Sequence, residues 1–599
     1  MSIVLEIKKL VAGSLKKLYD YDTSEAELTI NSTKPEFEGD YTLVLFSFVK
    51  QLKKSPEQLG NEIGKELVET NPGTFTGFNV IKGFLNLTVT DQYWISFLQQ
   101  NYSNASFGKK SSNAKKVMVE YSSPNTNKPL HLGHLRNIFL GWSVAQILKE
   151  SGYEVTKSCI VNDRGIHICK SMIAWQRFAN GATPESTGMK GDHFVGEYYV
   201  KFNDAYKAEV EKLVSEGLDK EKAEKEAPIM KATQQMLLDW EAGKPEVIEL
   251  WKKMNGWVYE GFDVTYKRIG ADFQKMYYES NTYIVGKQFV MDGLKEGVFF
   301  KKEDGSVWID LTAEGLDEKL VLRKDGTSVY ITQDLGLAQQ KYDEFKYDQS
   351  LYVIADEQNY HMKVLKLSLE KLGKPYAAGI DHLSYGMVEL PSGRMKSREG
   401  TVVDADDMVD EMVNVAKAKT EELGKVKDFT TEELKELYDT IALGALKFFL
   451  LRVDPKKKMI FNPEESIDFH GFTGPFVQYT HARIKSILRK EKAVKSSELG
   501  VRNSESNIQV LLKLEKDLII LIEQYPGIIE QAVTEHNPSV IAIYVFNLAK
   551  AFNTFYTEHS VMNAESEEKK QLRLQLSEMT AHVIASGMGL LGIRVPERM

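Results

Sequence analysis

The sequence predicts an α/β protein: an open parallel sheet with helices between its strands, preceded by a smaller α+β unit and followed by an all-helical bundle. Three observations carry this. The β-prone run Lys116-Val-Met-Val-Glu120, a helix-spaced apolar segment from His131 to Ser151, and the β-prone run Tyr153–Val161 read together as strand, helix, strand. Alternating strand and helix patterns then continue to about residue 405, interrupted by a charged helical section at about 190–260. From about Met408 onward the apolar spacing is helical almost throughout.

Taken in order, residues 1–110 form the first unit, with two helical stretches, a Lys34–Tyr41 loop and a strand pair over Gly77–Leu87. A Ser/Asn-rich basic stretch from Asn101 to Lys116 reads as a linker. Residues 111–405 form the α/β domain with its helical insertion at about 190–260, whose Lys and Glu residues read as a solvated face. A helical connector spans 406–470 and the bundle 471–599. Amphipathic runs lie at Leu434–Leu451, Gln478–Lys490, Ile508–Gln524, Ile541–Tyr556 and Leu572–Leu591.

Composition narrows the class. A chain of 599 residues, 42% of them hydrophobic, is globular and too long for one core. It has no apolar run of the about 18 residues that cross a bilayer, and its amphipathic start, Met1–Ala12, lacks the pattern of a signal peptide, so a cytoplasmic protein without membrane contact is expected. Cys159 and Cys169 fit reduced thiols and no zinc spacing, so neither a structural zinc nor another protein-bound metal is expected. The net charge of −9 argues against indiscriminate nucleic-acid binding and leaves room for local basic patches.

The chemistry is concentrated in Tyr121-Ser-Ser-Pro-Asn125-Thr-Asn-Lys128-Pro-Leu-His131-Leu-Gly-His134-Leu-Arg-Asn137, at the junction of the first α/β strand with its helix. A helix N-terminus offers unpaired N–H groups and a positive dipole end to an anion. His131 and His134, three residues apart, share one helix face and can donate to phosphate oxygens, while Gly133 allows a flat purine or ribose to approach. An isolated H-x-G-H string is equally compatible with capping or surface histidines, so partners are required. Gly393-Arg394-Met395-Lys396-Ser397-Arg398-Glu399-Gly400 is a candidate second loop for a triphosphate, although alone it reads as an exposed basic turn. Tyr330-Ile-Thr-Gln-Asp334 reads as a strand entering a helix, with Tyr330 and Asp334 at the strand's C-terminus, and Leu351–His361 repeats the arrangement around Gln358. Taken singly, Asp334 is as well explained as a helix N-cap and Gln358 as a loop residue.

Together these strings resemble the class I aminoacyl-tRNA synthetases, and along essentially the whole chain the arginyl-tRNA synthetase family. Further carriers are Asn162-Asp163-Arg164-Gly165, Trp257-Val-Tyr-Glu-Gly-Phe262, Tyr277-Tyr-Glu279-Ser280, Val477-Gln-Tyr479-Thr-His481-Ala-Arg483 and Leu591-Gly-Ile-Arg-Val-Pro-Glu-Arg-Met599. The resemblance implies a Rossmann-like catalytic domain, an N-terminal domain on the D-loop side of tRNA, and a helical anticodon-binding domain. It implies an ATP-dependent arginine–tRNA ligase, a monomer acting through arginyl-adenylate, with Mg2+ entering on ATP. His131, Gly133 and His134 with Met395, Lys396, Ser397 and Arg398 are the implied ATP contacts. Glu120, Asn125, Tyr330, Asp334 and Gln358 are the implied arginine contacts: Glu120, Tyr330 and Asp334 match the guanidinium fork, and Asn125 and Gln358 the α-amino group. In the bundle, Arg483, Lys485, Arg489 and Lys490 are candidate tRNA-backbone contacts, and Tyr479 or Phe476 a stacking platform.

One departure matters. The usual K-M-S-K-S loop has a lysine where this chain has Ser397, and the resemblance implies that Lys128 replaces it, with the role of Lys396 open. Two other readings of the same strings are an H-x-G-H nucleotidylyltransferase and a non-catalytic, synthetase-derived tRNA-binding protein. The chain's length and the Tyr330/Asp334 pair argue against the first, and the retained histidines and acceptors against the second.

Overall fold

A computed structural model describes residues 2–34, 36–391, 403–422, 424, 428–497 and 510–599. Arg394, Met395, Lys396, Ser397 and Arg398 lie outside the described residues.

The N-terminal unit is a four-stranded antiparallel sheet of β1 (Ile30–Ser32), β2 (Tyr41–Val44), β3 (Phe75–Ile81) and β4 (Phe84–Val89), in the order β1-β2-β4-β3. Helix Pro56–Thr70 lies against it through glycines: a Cβ on Gly60 or Gly64 would come within 2.7 Å of Val80 or 2.4 Å of Phe78. The unit is moored to the C-terminal bundle, where the Ile3 N–H donates to Glu523 (2.7 Å) and Lys516 pairs with Asp40 (3.0 Å).

The central sheet consists of five parallel strands, β5 (Lys116–Glu120), β6 (Glu154–Val161), β7 (Lys275–Tyr278), β11 (Gln349–Ala355) and β12 (Ile380–Tyr385), ordered β12-β11-β5-β6-β7. Val117 to Glu120 are all buried, as in a strand covered on both faces. From β5 the chain steps to β6 and β7 on one side and later returns to β11 and β12 on the other. The order therefore reverses between β5 and β11, and the crevice beyond their carboxyl ends is where such sheets hold ligands.

A separate antiparallel sheet, β8 (Phe299–Lys301), β9 (Val307–Ile309) and β10 (Lys319–Leu322), corrects the expected strand into Tyr330. Tyr330 instead opens helix Tyr330–Phe345, and Asp334 lies one turn inside it. Close packing accounts for this. A Cβ on Gly286 would stand 1.9 Å from the Thr332 carbonyl oxygen, and one on Gly336 2.4 Å from Gly286 N, so two helices cross at their glycines. Thr332 Oγ1 also accepts the Val329 N–H (3.1 Å), closing the first turn. Tyr330 and Asp334 still share a face, now as i and i+4 of a helix.

The insertion comprises helices Gly191–Ser215, Lys220–Glu226, Pro228–Glu241 and Pro245–Ile269. Most of its Lys and Glu residues are exposed, as expected of a solvated face, while Phe194, Val195, Tyr198, Tyr199 and Phe202 at its start are buried. Helices lie at all five expected runs, the first of them in the connector, and the bundle adds Tyr525–Glu535. That helix follows its predecessor with Gln524 capping both and Pro526 in its first turn, so no break in periodicity marks it. No described helix is long and apolar enough to cross a membrane.

Candidate active site

Beyond Glu120 the backbone turns through Ser122 (φ 80°) and Ser123 (φ 46°), two consecutive non-glycine residues with positive φ. Such conformations cost about 1–3 kcal/mol each and persist where neighbours over-determine them. Here the Ser122 N–H donates to Asn137 Oδ1 (2.6 Å), and Ser122 Oγ shares a hydrogen bond with the Tyr266 hydroxyl (2.7 Å). The Asn137 amide donates to the Val353 carbonyl (2.7 Å) and to Tyr385 (3.1 Å). Asn137 thereby joins the turn after β5 to β11 and β12. The Asn162 N–H donates to the Pro124 carbonyl (2.9 Å), fixing the loop from the β6 side.

His131 is the N-cap of helix Leu132–Glu150. Its Nδ1 accepts the Gly133 N–H, and His134 Nδ1 accepts the His131 N–H, each at 3.1 Å. The ring centroids are 3.9 Å apart. Burial drives the His131 pKa down to about 3, aided by the nearby Lys128 charge, and drives that of His134 well below the usual histidine range. Both rings are therefore neutral at pH 7, and with Nδ1 accepting, each proton belongs on Nε2. The helix start thus presents two neutral Nε2–H donors. Lys128, three residues before His131, is half-buried, and desolvation lowers its pKa.

Arg136 is 1% exposed and, among the described residues, meets no carboxylate within hydrogen-bond reach. Its guanidinium donates to the carbonyls of Gly386 (2.7 Å), Met387 (3.4 Å), Pro455 (3.2 Å) and Lys457 (2.8 Å). These lie just before β13 (Val388–Glu389) and beside its partner β14 (Met459–Ile460), so the histidine-bearing helix holds the exit from β12 in place.

Asp163 gathers three of the sequence strings into one network. Its carboxylate accepts from the Ser280 N–H (2.9 Å), Ser280 Oγ (2.7 Å) and the Tyr259 hydroxyl (2.9 Å), and its carbonyl from the Trp251 indole (2.6 Å). The adjacent Arg164 guanidinium stacks 3.9 Å from the Tyr283 ring centroid and pairs with Glu241 (3.1 Å).

A cleft of about 510 Å³ opens beside this network, lined in part by Arg164, Glu279, Tyr283, Tyr330 and Gln333. Tyr330 is 77% exposed there, and Asn125 and Gln358 are exposed at the ends of β5 and β11. Asp334 accepts from His361 Nε2 at 2.6 Å. Glu279 begins the helix after β7, and burial lifts its pKa to about 7, with the Asp334 charge adding to the rise and Arg164 and a Gln333 hydrogen bond opposing it. Glu120, expected at the guanidinium, is instead 4% exposed and pairs with fully buried Lys341 at 2.5 Å.

Asn137, Arg136, Glu279 and Lys341 carry parts that reading the sequence did not assign. Glu279 had a signal, standing directly after a β-prone run as His131 follows its own loop. Lys341 had one too, as a charge on the apolar face that includes Leu335 and Ala338.

Known proteins match the chain in sequence and fold. The family model described as "tRNA synthetases class I (R), catalytic domain" matches residues 97–462, "DALR anticodon binding domain" matches 477–599, and "Arginyl tRNA synthetase N terminal domain" matches 5–89. Proteins named arginine–tRNA ligase from Amoebophilus asiaticus and Bacteroides fragilis are 51% and 52% identical, over all of this chain and all of each relative. The chain belongs to the arginyl-tRNA synthetase family. The fold of this synthetase matches the Thermus thermophilus arginyl-tRNA synthetase, at a TM-score of 0.80 with 24% identity over 99% of both chains. It also matches the Plasmodium falciparum arginyl-tRNA synthetase, at 0.76 with 18% identity over 100% of this chain and 99% of that one.

In the synthetase's bundle, three of the four basic residues expected to face tRNA have partners within the chain. Arg483 donates to Asn553, Lys485 pairs with Glu597 (3.2 Å) and Arg489 donates to the Glu597 carbonyl (2.7 Å). Phe476 packs on Phe546, with centroids 5.1 Å apart.

Proposed function

We propose that this chain ligates L-arginine to its cognate tRNA with ATP, as a cytoplasmic monomer, and that the crevice between β5 and β11 is where it does so. In the first step an arginine carboxylate oxygen attacks the α-phosphorus of ATP; the bond to the bridging oxygen breaks and pyrophosphate leaves. In the second, a hydroxyl of the terminal tRNA ribose attacks the arginyl carbonyl and AMP leaves. ATP enters as substrate with its own Mg2+.

The observation that carries the reading is the reciprocal lock of His131 and His134. With both Nδ1 atoms bonded to backbone, each ring keeps its Nε2–H as a donor at a helix N-terminus. Such donors stabilise charge developing on the α-phosphate without reorganising during the step. Lys128 adds a cation on the same side, in place of the lysine missing at Ser397.

For arginine, Asp334, Glu279 and Tyr330 take the guanidinium, and Asn125 and Gln358 the α-amino group. Glu120 is held by Lys341 and supports the end of β5. A guanidinium beside Glu279 supplies the charge that keeps that carboxylate ionised. Lysine would leave acceptors unpaired, which is the basis for rejecting it. Charging of bulk tRNA with each of the twenty amino acids in turn tests the function: arginine alone is expected to be attached, and attachment of any other, or of none, rejects it.

A further inference from the structure

The start of the insertion is built against the ATP loop. In helix Gly191–Ser215, a Cβ on Gly196 would stand 2.8 Å from Pro129 Cδ and 3.5 Å from Lys128 Cα, so that helix touches the loop that carries the histidines. Gly191 and Gly261 seat it on helix Pro245–Ile269, where added Cβ atoms would meet the Trp257 carbonyl oxygen at 1.9 Å and Asp192 Oδ1 at 2.3 Å. At its first turn, His193 Nε2 lies 3.2 Å from Asp404 and 3.3 Å from Asp406. Lys190 Nζ lies 2.6 Å from Asp406, 2.9 Å from Asp192 and 2.6 Å from Thr265 Oγ1.

Asp404 is not remote from the chemistry. It forms an antiparallel bridge with His131; the Leu132 N–H donates to the Val403 carbonyl (3.3 Å), and the Ala405 N–H to that of Leu130 (2.9 Å). Asp404 Oδ1 also caps helix Ala405–Glu422 through the Asp406 N–H (2.7 Å). One residue therefore connects the histidine loop through its backbone, and the helix that follows the second signature loop and the insertion through its carboxylate. Asp192, His193 and Asp406 have the spacing of a metal site, but the Lys190 ammonium already bridges two of them.

We propose that His193 and Lys190 are positioning residues for ATP: by clamping Asp404 and Asp406 they fix the segment paired with His131, and so the aim of the histidine donors. The inference rests on the reading of His131 as a phosphate donor. Displacing such a group by about 1 Å can cost on the order of a hundred-fold in rate.

Arginylation by the full chain, varied separately over ATP, arginine and tRNA, tests it in His193→Ala, His193→Lys, Asp406→Asn and His131→Gln. His193→Ala and Asp406→Asn are expected to lower kcat/KM for ATP about ten- to a hundred-fold, with KM for tRNA and the melting temperature unchanged, and His193→Lys to recover most of the loss by restoring the cation. Wild-type kinetics in His193→Ala, a lysine variant as impaired as the alanine one, or a loss shared equally with tRNA overturns the proposal; Asp406→Asn decides if the alanine variant does not fold. A His131→Gln variant with full activity would remove the underlying reading instead, whereas a damaged His131→Gln beside a healthy His193→Ala removes this inference alone.

Discussion

His361 Nε2 lies 2.6 Å from Asp334, and the hydrogen bond to that acid, with its charge adding, holds the imidazole pKa above its usual value against the opposing effect of burial. Protonated His361 competes with the guanidinium for the Asp334 carboxylate. Below its raised pKa the competition is complete, and it fades as pH rises through that pKa. Glu279, pushed up to about 7, acts in the same direction, because its neutral form at lower pH cannot balance a guanidinium. KM for arginine should therefore fall as pH rises from about 6 through the Glu279 value near 7 and the raised His361 pKa, by up to about ten-fold per unit for each group. His361→Gln keeps a donor without the charge and should flatten the dependence without raising KM at the alkaline end. A KM for arginine independent of pH in the parent chain would remove both assignments.

Replacing Asp334 itself separates the two substrates. Asp334→Asn removes a charge-assisted acceptor, worth about 1.5–3 kcal/mol, so KM for arginine should rise about ten- to a hundred-fold. On the proposed reading ATP is held by the histidine loop and not by Asp334, so its KM should stay within about two-fold. Steady-state arginylation over both substrates reads the split, and equal impairment of the two would make Asp334 a fold residue.

The extent to which the site could be read in advance follows from how local each part is. The histidine loop was legible because Lys116–Glu120, the two prolines and the periodic helix from Leu132 determine a strand, a turn and a helix without help from the rest of the chain. Tyr330 and Asp334 were identified as residues and misplaced as structure. Their helix depends on the Gly286/Gly336 crossing, a contact between segments fifty residues apart. Arg136 and Asn137 looked like the tail of a motif, because their partners at Gly386, Pro455, Val353 and Tyr385 are set by sheet order and not by spacing. The insertion's Lys and Glu residues lie mostly on an exposed face, as its composition suggests, but composition does not locate the buried start around Phe194 and Tyr198.

Lys128 carries the next prediction. It precedes His131 by three residues and adds to the charge that depresses the His131 pKa, so it stands close to the phosphate donors. Lys128→Ala should slow arginylation at saturating tRNA by about a hundred-fold, the loss typical of one electrostatic donor to a developing oxyanion. Lys396→Ala should cost far less. Single-turnover arginylation of the two variants orders them, and a larger effect at Lys396 would return the missing lysine to the second loop.

The Glu120–Lys341 pair decides whether Glu120 belongs to the substrate or to the core. Lys341 is fully buried, with its ammonium 4.2 Å from the Tyr352 ring centroid and 2.5 Å from the Glu120 carboxylate. Removing one member leaves an uncompensated buried charge, so Lys341→Met should destabilise the chain by about 3–5 kcal/mol. Joining it to Glu120→Gln removes both charges and should restore most of that loss, since exchanging a whole buried pair for neutral groups is often close to neutral. Denaturant unfolding of the two singles and the double gives the coupling. The double variant then answers the functional question. If Glu120 serves only to hold the end of β5, KM for arginine in the refolded double variant stays within about three-fold, less than the loss of one neutral hydrogen bond. A stable double variant whose KM rises about a hundred-fold has lost a charged contact, and Glu120 would then rejoin Asp334 at the guanidinium.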